Sequence, residues 1–234
     1  MIKQSLFITL SLVVTIAGFG QNPSGPYFGQ TPPGNEPEVF APDFISIDGR
    51  FEQNAAFTPD GKEFYFCTTN RDWSDFDIYY TKEIEDEWTD PEIADPILGS
   101  FINLEPFITD DGQKMFFTSC RPSAPPWNTD IWMCERDDSS WTSPVKIPSP
   151  VSSSSREWHP SLSLDRTLYF QSVDRSGGYG AAYIYKAEPH TNGQYTTVGN
   201  LGAVINSSDG DGEATIAPDE SYLLFCSSGT YGGS

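Results

Sequence analysis

The chain has 234 residues, of which 14% are aromatic and 19 are proline. That composition suits strands and opposes long helices, because aromatic rings pack on pleated sheets and proline interrupts helical hydrogen bonding. Thirteen Lys and Arg stand against 33 Asp and Glu, a formal net charge of −20, which repels phosphate backbones and anionic membranes and excludes nucleic acid as an expected partner.

The N-terminus reads as a targeting segment. Lys3 precedes an apolar run, Leu6–Ala17, whose only polar residues are Ser and Thr. Gly18 and Gly20 place small residues at the −3 and −1 positions of a cleavage before Gln21. This predicts a signal peptide over residues 1–20, with an apolar run too short to span a bilayer comfortably. No Cys follows the run, so no lipid anchor is expected there. Residues 21–36, rich in Pro and Gly, predict a linker. The expected address is the periplasm, the cell surface or the medium, with no membrane contact after cleavage and possible partners among cell-envelope components.

From residue 37 the chain is periodic. Turn aspartates recur at Asp60, Asp111, Asp165 and Asp219, in steps of 51, 54 and 54 residues. A period near 50 with short strands between turns predicts a β-propeller, one blade per repeat. The Asp-Gly pairs at 60–61 and 111–112 suit tight hairpins. A buried second strand follows each turn, centred on Phe64–Phe66, Met115–Phe117, Leu168–Phe170 and Leu223–Phe225. Third strands are expected at Asp77–Tyr80, Asp130–Met133 and Tyr183–Lys186, and outer strands near Trp88–Pro91, Trp141–Pro144 and Tyr195–Val198. Proline is acceptable in the outer strands, where an edge can spare a donor.

The expected fold is therefore all-β: a β-propeller of four-stranded blades, three complete repeats plus partial blades at both ends, spanning residues 37–234. Pro37–Ile47 predicts an outer strand whose inner strands do not precede it. Gly229–Ser234 matches the loop before a third strand, so the chain is expected to be one piece of a longer propeller. The four cysteines, Cys67, Cys120, Cys134 and Cys226, fit no compact disulfide framework or Cys-x-x-Cys clip and predict free buried thiols.

The segment E-P-F-I-T-D-D-G-Q-K-M-F-F-T-S-C-R-P, followed by D-I-W, resembles the Pro-Asp repeat of TolB-like β-propellers, relatives of WD-type repeat propellers in exported bacterial proteins. The resemblance runs roughly over Pro37–Ser234. It implies the propeller fold and an export route, and no single activity. The third repeat departs from it: Asp165-Arg166 lacks the turn glycine, and Tyr183 replaces the aspartate of the third strand.

Function is expected where inner strands line the channel. Six residues before each turn aspartate stand Asn54, Glu105, His159 and Glu213; eight before stand Glu52, Asn103, Glu157 and Asp211. Loops of the same face bring Arg71, Arg121 and Arg175 with Trp73, Trp127 and Tyr179. The candidate ligand-binding set is Glu105, His159, Glu157, Glu213, Arg121, Arg175, Trp73, Trp127 and Tyr179. Such a set suits a polar ligand, glycan, peptide or protein at the channel mouth. A competing reading makes the recurrent Glu and Arg inter-blade ion pairs that fix blade register. Paired carboxylates among Glu52, Glu105, Glu157 and Glu213 also permit a glycoside hydrolase, although no S-x-D-x-G-x-T-W motif of the sialidase type occurs; a serine nucleophile is not expected, because no G-x-S-x-G elbow occurs. Asn206–Glu213, with Asp209, Asp211 and Glu213, offers hard oxygen ligands for Ca²⁺ but lacks EF-hand spacing and reads better as a solvated acidic turn. Zinc is not expected, and no cofactor is implied.

Overall fold

A computed structural model describes residues 22–121, 128–138, 140–175 and 182–229. The predicted signal peptide lies outside the described residues. The architecture is that of a β-propeller arc: three blade sheets and a two-stranded fourth, every ladder antiparallel.

The first blade runs from its inner strand outwards as β1 (Phe51–Phe57), β2 (Glu63–Thr69) and β3 (Phe76–Ile84). Two short pieces, β4 (Glu87–Trp88) and β5 (Glu92–Ile93), then pair with β3. A single helical turn, α1 (Asp95–Leu98), leads to the second blade: β6 (Asn103–Ile108), β7 (Lys114–Ser119), β8 (Asp130–Asp137), β9 (Ser140–Trp141) and β10 (Val145–Lys146). The third blade holds β11 (Arg156–Leu162), β12 (Leu168–Val173), β13 (Ala182–Ala187) and β14 (Gly199–Asn200). The fourth begins with β15 (Asp211–Ile216) and β16 (Leu223–Ser227). The predicted outer strand is thus split into two-residue ladders in the first two blades, with Pro91 and Pro144 in the gaps, where a missing N–H breaks no central ladder.

The hairpin turns explain why four unlike sequences make the same unit. Asp60 Oδ1 accepts the Thr58 hydroxyl at 2.6 Å and the Lys62 amide at 3.1 Å. Asp111 repeats this with Thr109 and Gln113, Asp165 with Ser163 and Thr167, and Asp219 with Ser221. The next residue is left-handed in each case: Gly61 at φ 70°, Gly112 at 67°, Arg166 at 71° and Glu220 at 58°. The glycine missing from the third repeat therefore costs it strain but not its turn, because the aspartate still supplies the acceptor that closes it. Tyr183 in place of aspartate is equally harmless, since β12 and β13 pair from Leu168↔Ala187 to Val173↔Ala182 without a break.

The core lies between sheets. Tyr65 and Ile78 of the first blade pack against Met115, Phe117, Cys134 and Trp141 of the second. Phe116 and Ile131 of the second pack against Leu162, Leu168, Phe170 and Tyr185 of the third. The outer face of the first sheet is covered by residues expected to be a linker, which corrects that reading. Phe28, in a short 3₁₀ turn (Pro26–Gly29), is buried among Phe64, Phe66 and Trp88, its ring centroid 4.2 Å from that of Trp88. The Trp88 indole donates to Gly25 O at 2.9 Å, and its amide to Pro23 O at 2.9 Å. Phe28, with Tyr27 packed on Phe57 at 5.7 Å, anchors the segment, and the fixed φ of its prolines lowers the entropy lost on docking. Residues 37–47 likewise form turns around Ala41 rather than an outer strand, and Gln30 clamps them through Val39 O (2.9 Å) and the Ala41 amide (2.7 Å).

Cys67, Cys120 and Cys134 are free and buried as expected; Cys226 is free but exposed, which corrects the fourth. Burial pushes the Cys67 and Cys134 thiols up to about 12, so neither is a thiolate at neutral pH.

Two measurements check this account. Phe28→Ala should destabilise the protein by about 3 kcal/mol, since truncating a buried Phe costs transfer and cavity energy together; a loosely tethered linker would leave the urea midpoint unchanged. The Thr58 and Ser163 hydroxyls hold Asp60 and Asp165 below their ordinary value of 3.8. A depressed carboxyl contributes stability that is present above the unfolded value and lost as pH falls through the folded one. Asp60→Asn with Asp165→Asn should therefore flatten the loss of melting temperature below about pH 4.

Candidate functional site

The channel-side geometry rests on one irregularity repeated in every blade. Each inner strand slips register against its neighbour: between Gln53 and Ala55, Leu104 and Phe107, Trp158 and Ser161, and Gly212 and Thr215. The residue at each slip is left-handed: Asn54 at φ 44°, Glu105 at 60°, His159 at 52° and Glu213 at 53°. These are the four positions six before the turn aspartates. A bulge turns such a residue out of the pleat and frees its amide from the ladder.

The side chains so released meet. His159 Nε2 lies 2.9 Å from Glu105 Oε1 and 3.9 Å from Glu213 Oε1, and Nδ1 lies 3.5 Å from the Asn54 amide nitrogen. An Nε2–H donating to Glu105 leaves Nδ1 as acceptor for Asn54, so one tautomer satisfies both contacts. Glu105 Oε2 also accepts the Thr118 hydroxyl at 2.6 Å and the His159 backbone amide at 2.7 Å. One imidazole thus touches side chains from all three other blades. Glu105 is 5% exposed and saturated with donors, whereas Glu213 keeps 60% of its side chain open.

Glu105 and His159 border two cavities of about 350 Å³ each. One opens towards the mouth between Trp73, Trp158, Gln53, Gln171 and Glu213. Trp73, 51% exposed, stacks on Phe51 at 6.0 Å. The other lies along the inner strands, against Asn54, Phe57, Phe107 and Ser161.

Glu157, Arg121 and Arg175 do not join this group, which corrects their expected place. Glu157 is fully enclosed and accepts from Ser153 Oγ (2.5 Å), Ser153 N (3.2 Å) and Arg175 Nη2 (3.1 Å), all within its own blade. Burial raises its carboxyl above the usual range against the opposing pull of Ser153 and Arg175. Arg175 also donates to Pro150 O and Val151 O and lies over Phe170 and Tyr185. Arg121 does the same one blade earlier, reaching Asn103 Oδ1 (2.8 Å) and Leu98 O over Phe117 and Trp132. In the first blade the matching cation is Arg50, paired with Glu52 at 2.6 Å over Phe66 and Tyr79, where the sequence had suggested Arg71. The expected inter-blade Glu–Arg pairs are thus intra-blade clamps on the turn leading into each inner strand. Asp211 plays the carboxylate part in the fourth blade, accepting the Ser207 amide. It is 2% exposed, so it does not belong to a solvated acidic turn. Among the described residues no three His, Cys, Asp or Glu side chains gather to hold a metal. Trp127 and Tyr179 lie outside the described residues.

Sequence reasoning missed Gln53, Gln171 and Trp158, which line the mouth cavity. Their signal was position: Gln53 and Trp158 immediately precede a slip residue, and Gln171 Oε1 accepts the Glu213 amide at 3.3 Å. No family model matches the chain, and no curated protein matches it. Among solved structures it is similar to a protein designated TolB from Agrobacterium tumefaciens, with 24% identity and a TM-score of 0.42 over 62% of this chain and 47% of that one. It is also similar to a puromycin hydrolase, with 13% identity and a TM-score of 0.40 over 64% of this chain and 23% of that one. Likeness at this level adds nothing to what the geometry itself shows. The chain spans about half the length of the first and about a quarter of the second.

Glu105→Ala should cost about 2–3 kcal/mol, because it strands the buried Thr118 hydroxyl and the His159 amide. Glu213→Ala, at an open position, should stay within about 0.5 kcal/mol. Urea unfolding of the two variants separates the enclosed carboxylate from the solvent-exposed one.

Proposed function

We propose that this protein is an exported, non-enzymatic binding module whose channel-mouth cavity takes a polar ligand, a glycan or a peptide. The observation that carries the reading is the mouth cavity itself. Trp73, half exposed, lines it together with the open Glu213 carboxylate and the side chains of Gln53 and Gln171. An aromatic platform with directional acceptors and donors suits a ligand with one flat apolar face and several hydroxyls or amides. Export rests on the N-terminal signal pattern; among the described residues no helix is long and apolar enough to cross a membrane.

A glycoside hydrolase finds less support. Two of its candidate carboxylates, Glu105 and Glu157, are already bound by hydroxyls, amides, an imidazole or a guanidinium. A general acid needs a proton to give and an approach to the glycosidic oxygen.

The test is a thermal-shift screen with soluble oligosaccharides, peptidoglycan fragments and short peptides. A ligand at 100 times its dissociation constant adds about 2.7 kcal/mol, a shift of several degrees. Trp73→Ala and Glu213→Gln should abolish that shift while leaving the unliganded midpoint in place. No shift across all three panels overturns the reading. Turnover of a glycan that is lost in both Glu105→Gln and Glu157→Gln would replace it with the hydrolase.

A further inference from the structure

The two complete blade junctions are built from the same positions but are not filled alike. Between the first and second blades, Arg136 lies 3.9 Å over the Trp141 ring and pairs with Glu63 at 3.1 Å. The Trp141 indole donates to the Tyr65 hydroxyl at 2.9 Å. That stack closes the junction at its turn side.

The repeat and the strand registers, Lys114↔Glu135 and Leu168↔Ala187, carry these positions one blade on. Glu63 becomes Lys114, Tyr65 becomes Phe116, Arg136 becomes Glu188 and Trp141 becomes Tyr195. The guanidinium is gone, the indole has shrunk to a phenol, and the carboxylate has become an ammonium. A cavity of about 400 Å³ stands there. Its floor is core: Phe116, Ile147 and Leu162 are 4–6% exposed. Its rim carries Lys114, Arg166 and His190. The Tyr195 hydroxyl is turned away onto Arg166 O at 3.1 Å.

We propose that this inter-blade cavity binds a small aromatic carboxylate, ring inward on Phe116 and Leu162 and carboxylate on Lys114. The ring takes the room that the Arg136–Trp141 stack fills one junction earlier. The charge follows from the inversion: the first junction joins a carboxylate to a cation supplied by the next blade, whereas at the second the Lys114 ammonium lines the cavity and the acid at the Arg136 position, Glu188, is held by Lys186 at 2.6 Å and stays off the cavity wall. Lys114 does hold Glu135 at 2.9 Å, and Arg166 holds Asp111. The Lys114–Glu135 side chains are 40% and 56% exposed, and an exposed pair of this kind contributes little net stability. A carboxylate anchored by a buried ring exchanges for it readily, since charge-assisted bonds strengthen as water is excluded. The site shares no residue with the channel-mouth cavity, so it stands or falls separately from the proposed function.

Calorimetric titration of the intact protein with 2-naphthoate tests it, with 2-naphthylmethylammonium as the charge-inverted probe. The expected result is saturable one-to-one binding of naphthoate and none of the ammonium. Lys114→Glu should weaken it by about tenfold or more, the loss of one charge-assisted contact and its reversal. Tyr195→Trp, which restores the bulk found in the second blade, should abolish binding while keeping the melting midpoint. Absence of saturable binding, equal binding of the ammonium, or wild-type affinity in either variant overturns the proposal.

Discussion

The channel side of this protein depends on a backbone conformation that its residues do not favour. A left-handed non-glycine residue inside a strand costs on the order of 1–3 kcal/mol, and the chain accepts it at Asn54, Glu105, His159 and Glu213. The cost is offset by the amide that the bulge releases. The His159 amide is taken by Glu105 of the preceding blade, and the Glu213 amide by Gln171 of the preceding blade. At these two slips a lost ladder bond becomes a bond between blades. Without the slips, these side chains would lie in the pleat, and the junctions would lose their hydrogen bonds at the inner edge.

The same slips divide labour between positions only two residues apart. Eight before the turn aspartate, the side chain stays within its blade and ties down the turn that leads into the strand, usually with an arginine lying over two aromatic rings. Six before, it enters the channel. Arg121 and Arg175 follow their turn aspartates by ten residues and Arg50 precedes its own by ten, yet each guanidinium finds a pair of aromatic faces in its own blade, Phe66–Tyr79, Phe117–Trp132 or Phe170–Tyr185. A planar, weakly hydrated cation suits that slot because it stacks and donates in plane at once.

Much of this was legible in the residues, and the rest was hidden for identifiable reasons. Turn aspartates and the Phe-rich second strands announce the blades because hairpin chemistry and burial both act on side-chain type. The slips are written in no side chain, since Asn, Glu and His all occupy them; counting positions found the four residues but gave Glu157 and the arginines the same standing as Glu105. Arg50 was invisible because it precedes its strand instead of following the turn. The docking of Phe28 is not written in the composition of its segment, because few apolar residues among prolines and glycines read as a linker, and two adjacent rings still find a groove.

In a repeat protein, a side chain is free for recognition only when something else does its structural work. Glu105 and Glu213 occupy the same backbone site and carry the same chemical group. Glu105 must accept the next blade's bulge amide, and so its carboxylate is enclosed and spent. At the following junction that duty falls to Gln171, a residue of the second strand, so the acceptor for the Glu213 amide is already in place. The carboxylate of Glu213, 60% open, is thereby released to face the cavity beside Trp73. The same reasoning separates the two junctions at the turn side. Where Arg136 and Trp141 complete the packing, the surface is closed; where Glu188 and Tyr195 stand instead, the core around Phe116, Ile131, Leu162 and Phe170 holds the blades together and a cavity is left at the turn side. Structural redundancy in one place is what allows chemistry in the next.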